Sequence, residues 1–235
     1  MDMNQKSGSS SLADNCEKKK CEGRKTALKG LFSVSPISQV RFAPGNLAVD
    51  GRSFVVNQWE YGGYFGWGTG NNPNNTSEDW RDYPSFYDWG KHIEGSWRTL
   101  TIDEWRYLLT DRAHASSKYG SGTVNGVHGL ILLPDDWSLP TGCMFNNGMN
   151  GWKGNSYTSI QWQQMEEACA VFLPAAGGRW GTHVDHMYIY GDYWSSTPCS
   201  GYYAYHISFL AYKLEAVNSR NRVCGRTVRL VRLDN

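Results

Sequence analysis

The chain has no run approaching the roughly 18 uninterrupted apolar residues that a membrane-crossing helix needs, so no spanning helix is expected. It has no CxxC pair, and its six cysteines (Cys16, Cys21, Cys143, Cys169, Cys199 and Cys224) form no Cys/His set at zinc-ligand spacing. They are also too sparse for a small disulfide-stapled scaffold. Phosphate loops, dinucleotide fingerprints and internal repeats are absent. A net charge of +1 supplies no whole-chain field for nucleic acid or an acidic membrane. One further absence is local: none of the 11 tryptophans lies beyond Trp194.

What is present is globular. At 235 residues with 40% hydrophobic and 14% aromatic content, the chain has ample length for one core. The many tryptophans and the 26 glycines belong together, because glycine lets the backbone turn tightly around large flat rings. Residues 1–29 are Ser- and Lys-rich and read as a flexible tail ahead of one domain over 30–235. No signal peptide is visible. Leu12-Ala13-Asp14-Asn15-Cys16 superficially resembles a lipoprotein cleavage site, but no hydrophobic segment precedes it. Basic residues outnumber acidic ones after position 194. That excess either steers an acidic partner or represents arginines solvated beside the terminal strands.

Along the domain, strands are predicted at Leu31–Val34, Val40–Ala43 and Ser53–Val56, the last two joined through Pro44-Gly45-Asn46. Residues 59–97 are aromatic and glycine-broken without a sustained period, and read as ordered loop packed by its own rings. Thr101 with Glu104 is a capping box opening one helix, with Trp105, Leu108 and Leu109 at helical spacing. Thr158 with Gln161 opens a second, whose apolar stripe is Trp162, Met165 and Cys169; Cys169 is read as buried and inert. Ala170–Pro174 follows as a buried strand. Helices in the middle and a strand-rich last third, without βαβ alternation, indicate α+β.

The last forty residues combine a regular frame with miscellaneous side chains. The period of two at Tyr203, Tyr205, Ile207 and Phe209 sets these residues on an inward face. The opposite side carries Tyr202, Ala204, His206, Ser208 and Leu210, followed by Ala211, Tyr212, Asn218, Ser219, Arg220, Asn221, Val223 and Cys224. A further strand is expected over Gly225–Arg232. A rigid frame bearing chemically mixed residues suits a binding face and describes a catalytic site poorly.

Several fragments carry a resemblance. They are Phe65-Gly66-Trp67-Gly68-Thr69, Tyr87-Asp88-Trp89-Gly90, Trp97-Arg98-Thr99-Leu100 through Glu104-Trp105, Leu132–Trp137, Phe172–Gly177, Tyr193–Thr197 and Val228–Val231. Over about 30–232 the chain resembles a group of surface-associated or phage-linked Bacteroidetes proteins with a C-type-lectin-like fold. More distantly it is similar to the formylglycine-generating and sulfatase-modifying family. The resemblance implies a C-type-lectin-like fold with two main helices, short antiparallel strands and long ordered loops. Some members of the group are variable proteins of diversity-generating retroelements, in which adenine-directed mutagenesis turns asparagine codons into codons for other residues. An AAC or AAT codon so treated cannot yield Trp, Gln, Met, Lys or Glu. The suspected positions Cys199, Ser200, Gly201, Tyr202, His206, Ser208, Leu210, Ala211, Tyr212, Asn218, Ser219, Arg220, Asn221, Val223, Cys224 and Arg226 are all reachable. Lys213 and Glu215 are not, and would be fixed scaffold.

The resemblance therefore implies a non-enzymatic, adhesin-type or phage receptor-binding protein with a hypervariable face over about 199–226. Its partner would be a macromolecule, a cell-surface protein first and a glycan second, with no nucleic acid and no cofactor; cell surface or virion is the implied location. The alternatives are a calcium-independent glycan-binding module, a fixed structural module whose 199–226 face packs against neighbouring subunits, or an enzyme of the formylglycine-generating kind, with Cys199 and Cys224 as working thiols. Sequence leaves a disulfide between them open. His183-Val184-Asp185-His186 has metal-ligand character but lacks further ligands nearby and reads as a solvated loop, and Asp135-Asp136 as a surface turn. The tripeptides of calcium-dependent sugar binding are missing, so fold alone does not license that function.

Overall fold

The computed structural model describes residues 26–234. The tail expected over 1–29 therefore lies outside the described residues up to position 25, as do Cys16 and Cys21. Residues 26–29 belong to the body: the Leu28 amide donates to the Phe42 carbonyl at 2.9 Å, and Ala27 and Leu28 pack on the core.

Both capping boxes form. The Thr101 side chain accepts from the Glu104 amide while Glu104 Oε2 accepts from the Thr101 amide at 2.8 Å, opening α1 (Ile102–Arg106). The helix widens into one π turn, Tyr107–Asp111, which keeps Leu108 and Leu109 buried. Thr158 and Gln161 cap α2 (Ser159–Glu167) in the same reciprocal way. Cys169 does not complete the α2 stripe. It lies beyond the helix end with φ 74° and is only partly buried.

Twelve strands form four small sheets among the described residues. β1 (Phe32–Ser35), β2 (Ser38–Phe42) and β12 (Val231–Leu233) make one sheet with β2 in the centre. β3 (Tyr119–Val124) and β4 (Val127–Leu132) form a hairpin turned by Asn125 (φ 48°) and Gly126 (φ 81°). Positive φ at both central turn residues is what Asn-Gly provides at least cost. β5 (Ser156–Tyr157) and β6 (Val171–Pro174) flank that hairpin, β5 in parallel. β7 (Gly178–Trp180) pairs with β8 (His183–Asp185), and β9 (Gly191–Pro198), β10 (Tyr203–Leu210) and β11 (Lys213–Asn221) form an antiparallel sheet with β10 central. The fold is mixed α+β, dominated by strands, with two short helices.

Two predicted strands are shorter than expected. Ser53–Val56 contributes only an isolated Leu47–Phe54 bridge. Within Gly225–Arg232, only Val231 onward is strand. The rest threads the interior through single bridges, Phe65 with Arg226 and Tyr193 with Thr227. Side chains 222–231 are all buried, so the period-two pattern there reflects a chain surrounded by core rather than a ladder.

Three packed clusters hold the sheets together. Trp105 from α1 and Leu108 and Leu109 from its π turn meet Phe32 and Phe42, Leu130, Leu173, Ile207 and Phe209. Phe65, Trp67, Trp89 and Trp97 from the aromatic loop close around Trp194, Val228 and Leu230. Trp162 and Met165 of α2 cover Ile131 and Phe172 behind the hairpin. Loop indoles are tied by hydrogen bonds: Trp67 Nε1 donates to the Ser195 carbonyl at 3.0 Å, and Trp194 Nε1 to the Phe65 carbonyl at 2.7 Å. The aromatic loop is thereby fastened to β9, an edge strand of the sheet that carries the suspected positions.

Asp135, expected in a surface turn, is a clamp. It accepts from the Ser33 amide and hydroxyl, both at 2.7 Å, from Gln39 Nε2 at 2.9 Å and from the buried Arg112 at 3.0 Å.

Candidate functional site

Strand alternation predicts the inward set on β10 only in its second half. Ile207 and Phe209 are in the core as expected, but Tyr203 is 44% exposed, Tyr205 is half-buried and Ala204 is fully buried. The register shifts on either side of His206 place their extra residues in β9 and β11, so β10 keeps its own alternation and Tyr203 and Tyr205 are open because the core does not extend beneath the start of the strand. Ala204, His206, Ser208 and Leu210 therefore share the outer side, Ala204 being enclosed in one cluster with Trp194.

On that outer side a cavity of about 270 Å³ opens, lined by His186, Tyr190, Asp192, His206, Ser208, Leu210, Asn218, Ser219, Arg220 and Arg226. Seven suspected positions meet here from three segments. On the floor, Arg226 Nη1 and Asp192 Oδ2 are 3.1 Å apart, with both side chains almost completely buried. His206 Nε2 stands 3.6 Å from Asp192 Oδ1, too far for a hydrogen bond. Asp192 Oδ1, His206 Nδ1 and Arg226 Nε have no hydrogen-bond partner. Gly178 makes room for this arrangement, since a Cβ there would lie 1.6 Å from Arg226 Nη1.

A second recess of about 370 Å³ adjoins the first at Leu210 and is lined by Trp152, Tyr188, Ile189, Leu210, Ala211, Tyr212 and Lys213. It is apolar. Tyr212 is 78% exposed and lies over Gly151, whose amide donates to the Ala211 carbonyl. At the other end of β10 the turn residues Cys199, Ser200, Gly201 and Tyr202 are exposed, and the Tyr202 ring meets Trp80 edge-on at 4.5 Å. Asn221, opposite Tyr203 in the ladder, is half-buried.

Val223 and Cys224 do not belong to this face. They are 1% and 3% exposed, Cys224 inside the tryptophan-lined cluster, because the chain turns inward after Asn221. His206, Ser208 and Arg226 are reached only through the cavity, as its floor. The four described cysteines, Cys143, Cys169, Cys199 and Cys224, are free thiols, so the open disulfide between Cys199 and Cys224 is not formed. The arginine excess is also mostly internal: Arg222, Arg226 and Arg229 are 6%, 4% and 1% exposed. Arg222 donates to the carbonyls of Tyr83, Pro84 and Ser200 and sits over the Trp67 ring. Those arginines are neither solvated nor free to steer a partner; Arg220 is the exposed one on this face.

The His183–His186 segment is not simply a loop. His183 lies in β8 with Nε2 2.8 Å from Asp185 Oδ1, and His186 stacks on Tyr190 at the cavity rim. Among the described residues no group of three His, Cys, Asp or Glu side chains could hold a metal ion. No described helix is long and apolar enough to cross a membrane. Asp192 and Tyr190 complete the cavity yet had no signal in a single sequence, and His186, singled out only as part of a metal-ligand-like run, joins them there.

Burial first, then Arg226 and Arg220, hold the His206 imidazole down from its ordinary 6.5 to about 3. An unfolded chain protonates this group below about pH 6.5, while the folded one resists until about pH 3. Stability from this source is therefore complete above pH 6.5 and is lost progressively toward pH 3. By pH 5 the loss should reach about 2 kcal/mol. Burial raises the Asp192 pKa, which acts in the opposite direction as pH falls. Urea unfolding at pH 7 and pH 5 should show a steeper decline for the native protein than for His206→Gln. Equal declines would mean that the folded imidazole is already charged.

Compared with protein-family models, curated proteins and solved structures, the chain matches none.

Proposed function

We propose that this protein is a non-enzymatic recognition protein, a variable protein of a diversity-generating retroelement with a C-type-lectin-like fold. It presents the outer side of the β9–β10–β11 sheet to a macromolecular ligand, a protein on a cell surface. One observation carries the reading. Chemically unrelated residues of β10 and β11 gather around one cavity on a sheet whose backbone pairing does not depend on their side chains, beside a core built from other residues. Terminal strands joined in one sheet, two helices and long ordered loops are in keeping with the lectin-like fold. Lys213 and Glu215, the two residues outside the reachable set, pair with each other at 2.6 Å, and Glu215 accepts from Asn218 at 2.7 Å, a fixed brace along β11.

The face combines a polar cavity, an apolar recess and exposed tyrosines. Tyrosine offers large contact area at low entropy cost, and an exposed apolar recess rimmed by polar groups suits a protein surface. The formylglycine-generating alternative draws no support from its two candidate thiols, one exposed in a turn and the other enclosed in the core.

Two measurements test the reading. The gene should be accompanied by a near-copy of its 3′ end, with adenines at the suspect codons, beside a reverse transcriptase; an invariant face across strains sinks the idea. Replacing Tyr202, Tyr212, Ser219 and Arg220 with other residues reachable from asparagine codons should change stability by only about 0.5 kcal/mol per site. The same replacements should change which ligands are captured from a displayed library. Losses of several kcal/mol per site would instead make this side a structural packing surface.

A further inference from the structure

The cavity over Asp192 has a charge pattern that selects its ligand. Its floor holds one cation and one anion in contact, Arg226 with Asp192. Its wall adds Arg220, which makes no ion pair or side-chain hydrogen bond with any described residue but acts electrostatically on both Asp192 and His206. Two guanidinium groups against one carboxylate leave one positive charge unmatched. Glu215 also acts on Asp192, though its own carboxylate is taken by Lys213 and Asn218. Unpartnered polar atoms on three side chains more than nine-tenths buried, Arg226, His206 and Asp192, leave the hydrogen bonding of the floor incomplete.

We propose that this cavity is a carboxylate-binding subsite, in which Arg220 from the wall and Arg226 from the floor hold one carboxylate group of the ligand. Planar guanidinium groups recognise carboxylates through paired N–H donors. A cation is disfavoured by the two arginines, and a phosphate dianion by Asp192 directly beneath it. About 270 Å³ accommodates a carboxylate on a short stem, leaving the rest of the ligand to lie toward Leu210 and the apolar recess. The carboxylate can come from an acidic protein side chain or from a sugar acid. The proposal rests on the recognition reading only in taking this side of the sheet as the ligand-bearing one. Because Arg220 and Arg226 are themselves suspected variable positions, carboxylate preference would be a property of this sequence rather than of the scaffold.

The full chain, labelled with ¹⁵N, is titrated by NMR with N-acetyl-glutamate N-methylamide, its glutamine isostere, N-acetylneuraminic acid and inorganic phosphate. The glutamate probe, the sugar acid, or both should move the amides of Ser208, Asn218, Ser219 and Arg220, with the glutamine isostere and phosphate leaving them in place. The tighter of the two acids identifies the source of the carboxylate. Arg220→Gln, at an exposed position, should keep the native spectrum and weaken the binding about tenfold, with Arg220→Lys falling between. Equal response to glutamate and glutamine, preference for phosphate, or no response to either acid overturns the subsite. So does affinity unchanged by Arg220→Gln. These failures are separable from failure of the recognition reading. An invariant face across strains removes the diversified repertoire and leaves a carboxylate response standing. Partner capture that depends on Tyr202 and Tyr212 without any carboxylate response removes the subsite alone.

Discussion

Trp194→Ala is expected to lower the free energy of unfolding by about 3–5 kcal/mol. The indole is 1% exposed and packs among Phe65, Trp67, Trp89 and Val228. It also meets its cross-strand neighbour His206 edge-on at 5.7 Å, so it buttresses one side of the cavity floor. Its removal leaves a cavity in the second cluster and takes a donor from the Phe65 carbonyl. Trp194→Phe keeps part of the ring volume and loses that hydrogen bond, and should cost about 1–2 kcal/mol. Denaturant midpoints for the two variants check the order. An alanine variant as stable as the native protein would show that the aromatic loop is held without this tryptophan.

Arg229→Ala is expected to cost about 3 kcal/mol, whereas Arg229→Met should lie close to the native protein. The guanidinium is 1% exposed and donates from Nη2 to Gln58 Oε1 at 2.7 Å, with Asn46 Oδ1 and the Phe172 carbonyl each 3.5 Å from Nη1. Burial pulls its pKa from 12.5 down to about 10, so it remains charged at neutral pH with part of its hydration lost. Alanine removes both the packing stem and the charged donors; methionine restores volume and removes the charge that had to be desolvated. Thermal unfolding of both variants measures the difference. If methionine proved as damaging as alanine, the polar contacts rather than the filled volume would be what this side chain supplies.

The helix starts were legible because a capping box is local: Thr101 with Glu104 and Thr158 with Gln161 need no tertiary information. The aromatic loop was legible from its lack of period. The Asn125-Gly126 hairpin turn carried an equally local signal, and it shapes the best-paired hairpin of the central sheet, yet it was not read. Other features could not be read locally. How far the core reaches along β10 depends on the elements packed against it, so alternation placed Tyr203 and Tyr205 on the face of Ile207 and Phe209 without showing that this end is left open. Val223 and Cys224 were placed outward because proximity in sequence to the mixed surface cannot reveal a chain turning inward. The cavity was half legible: its β10 and β11 residues were named, while Asp192 and Tyr190 arrive through register and His186 through a short hairpin.

The sheet that joins the two ends of the described chain has a mechanical consequence. β1 and β12 both run antiparallel to β2, and hence parallel to each other, with Leu28 bonded beside Phe42 and Asp234 beside Gln39. The ends therefore leave at opposite limits of one ladder. Tension applied between them loads its bonds lengthwise, so that they resist together instead of unzipping in turn. A pull between the two ends must therefore break several β1–β2 and β2–β12 bonds at once before the body opens.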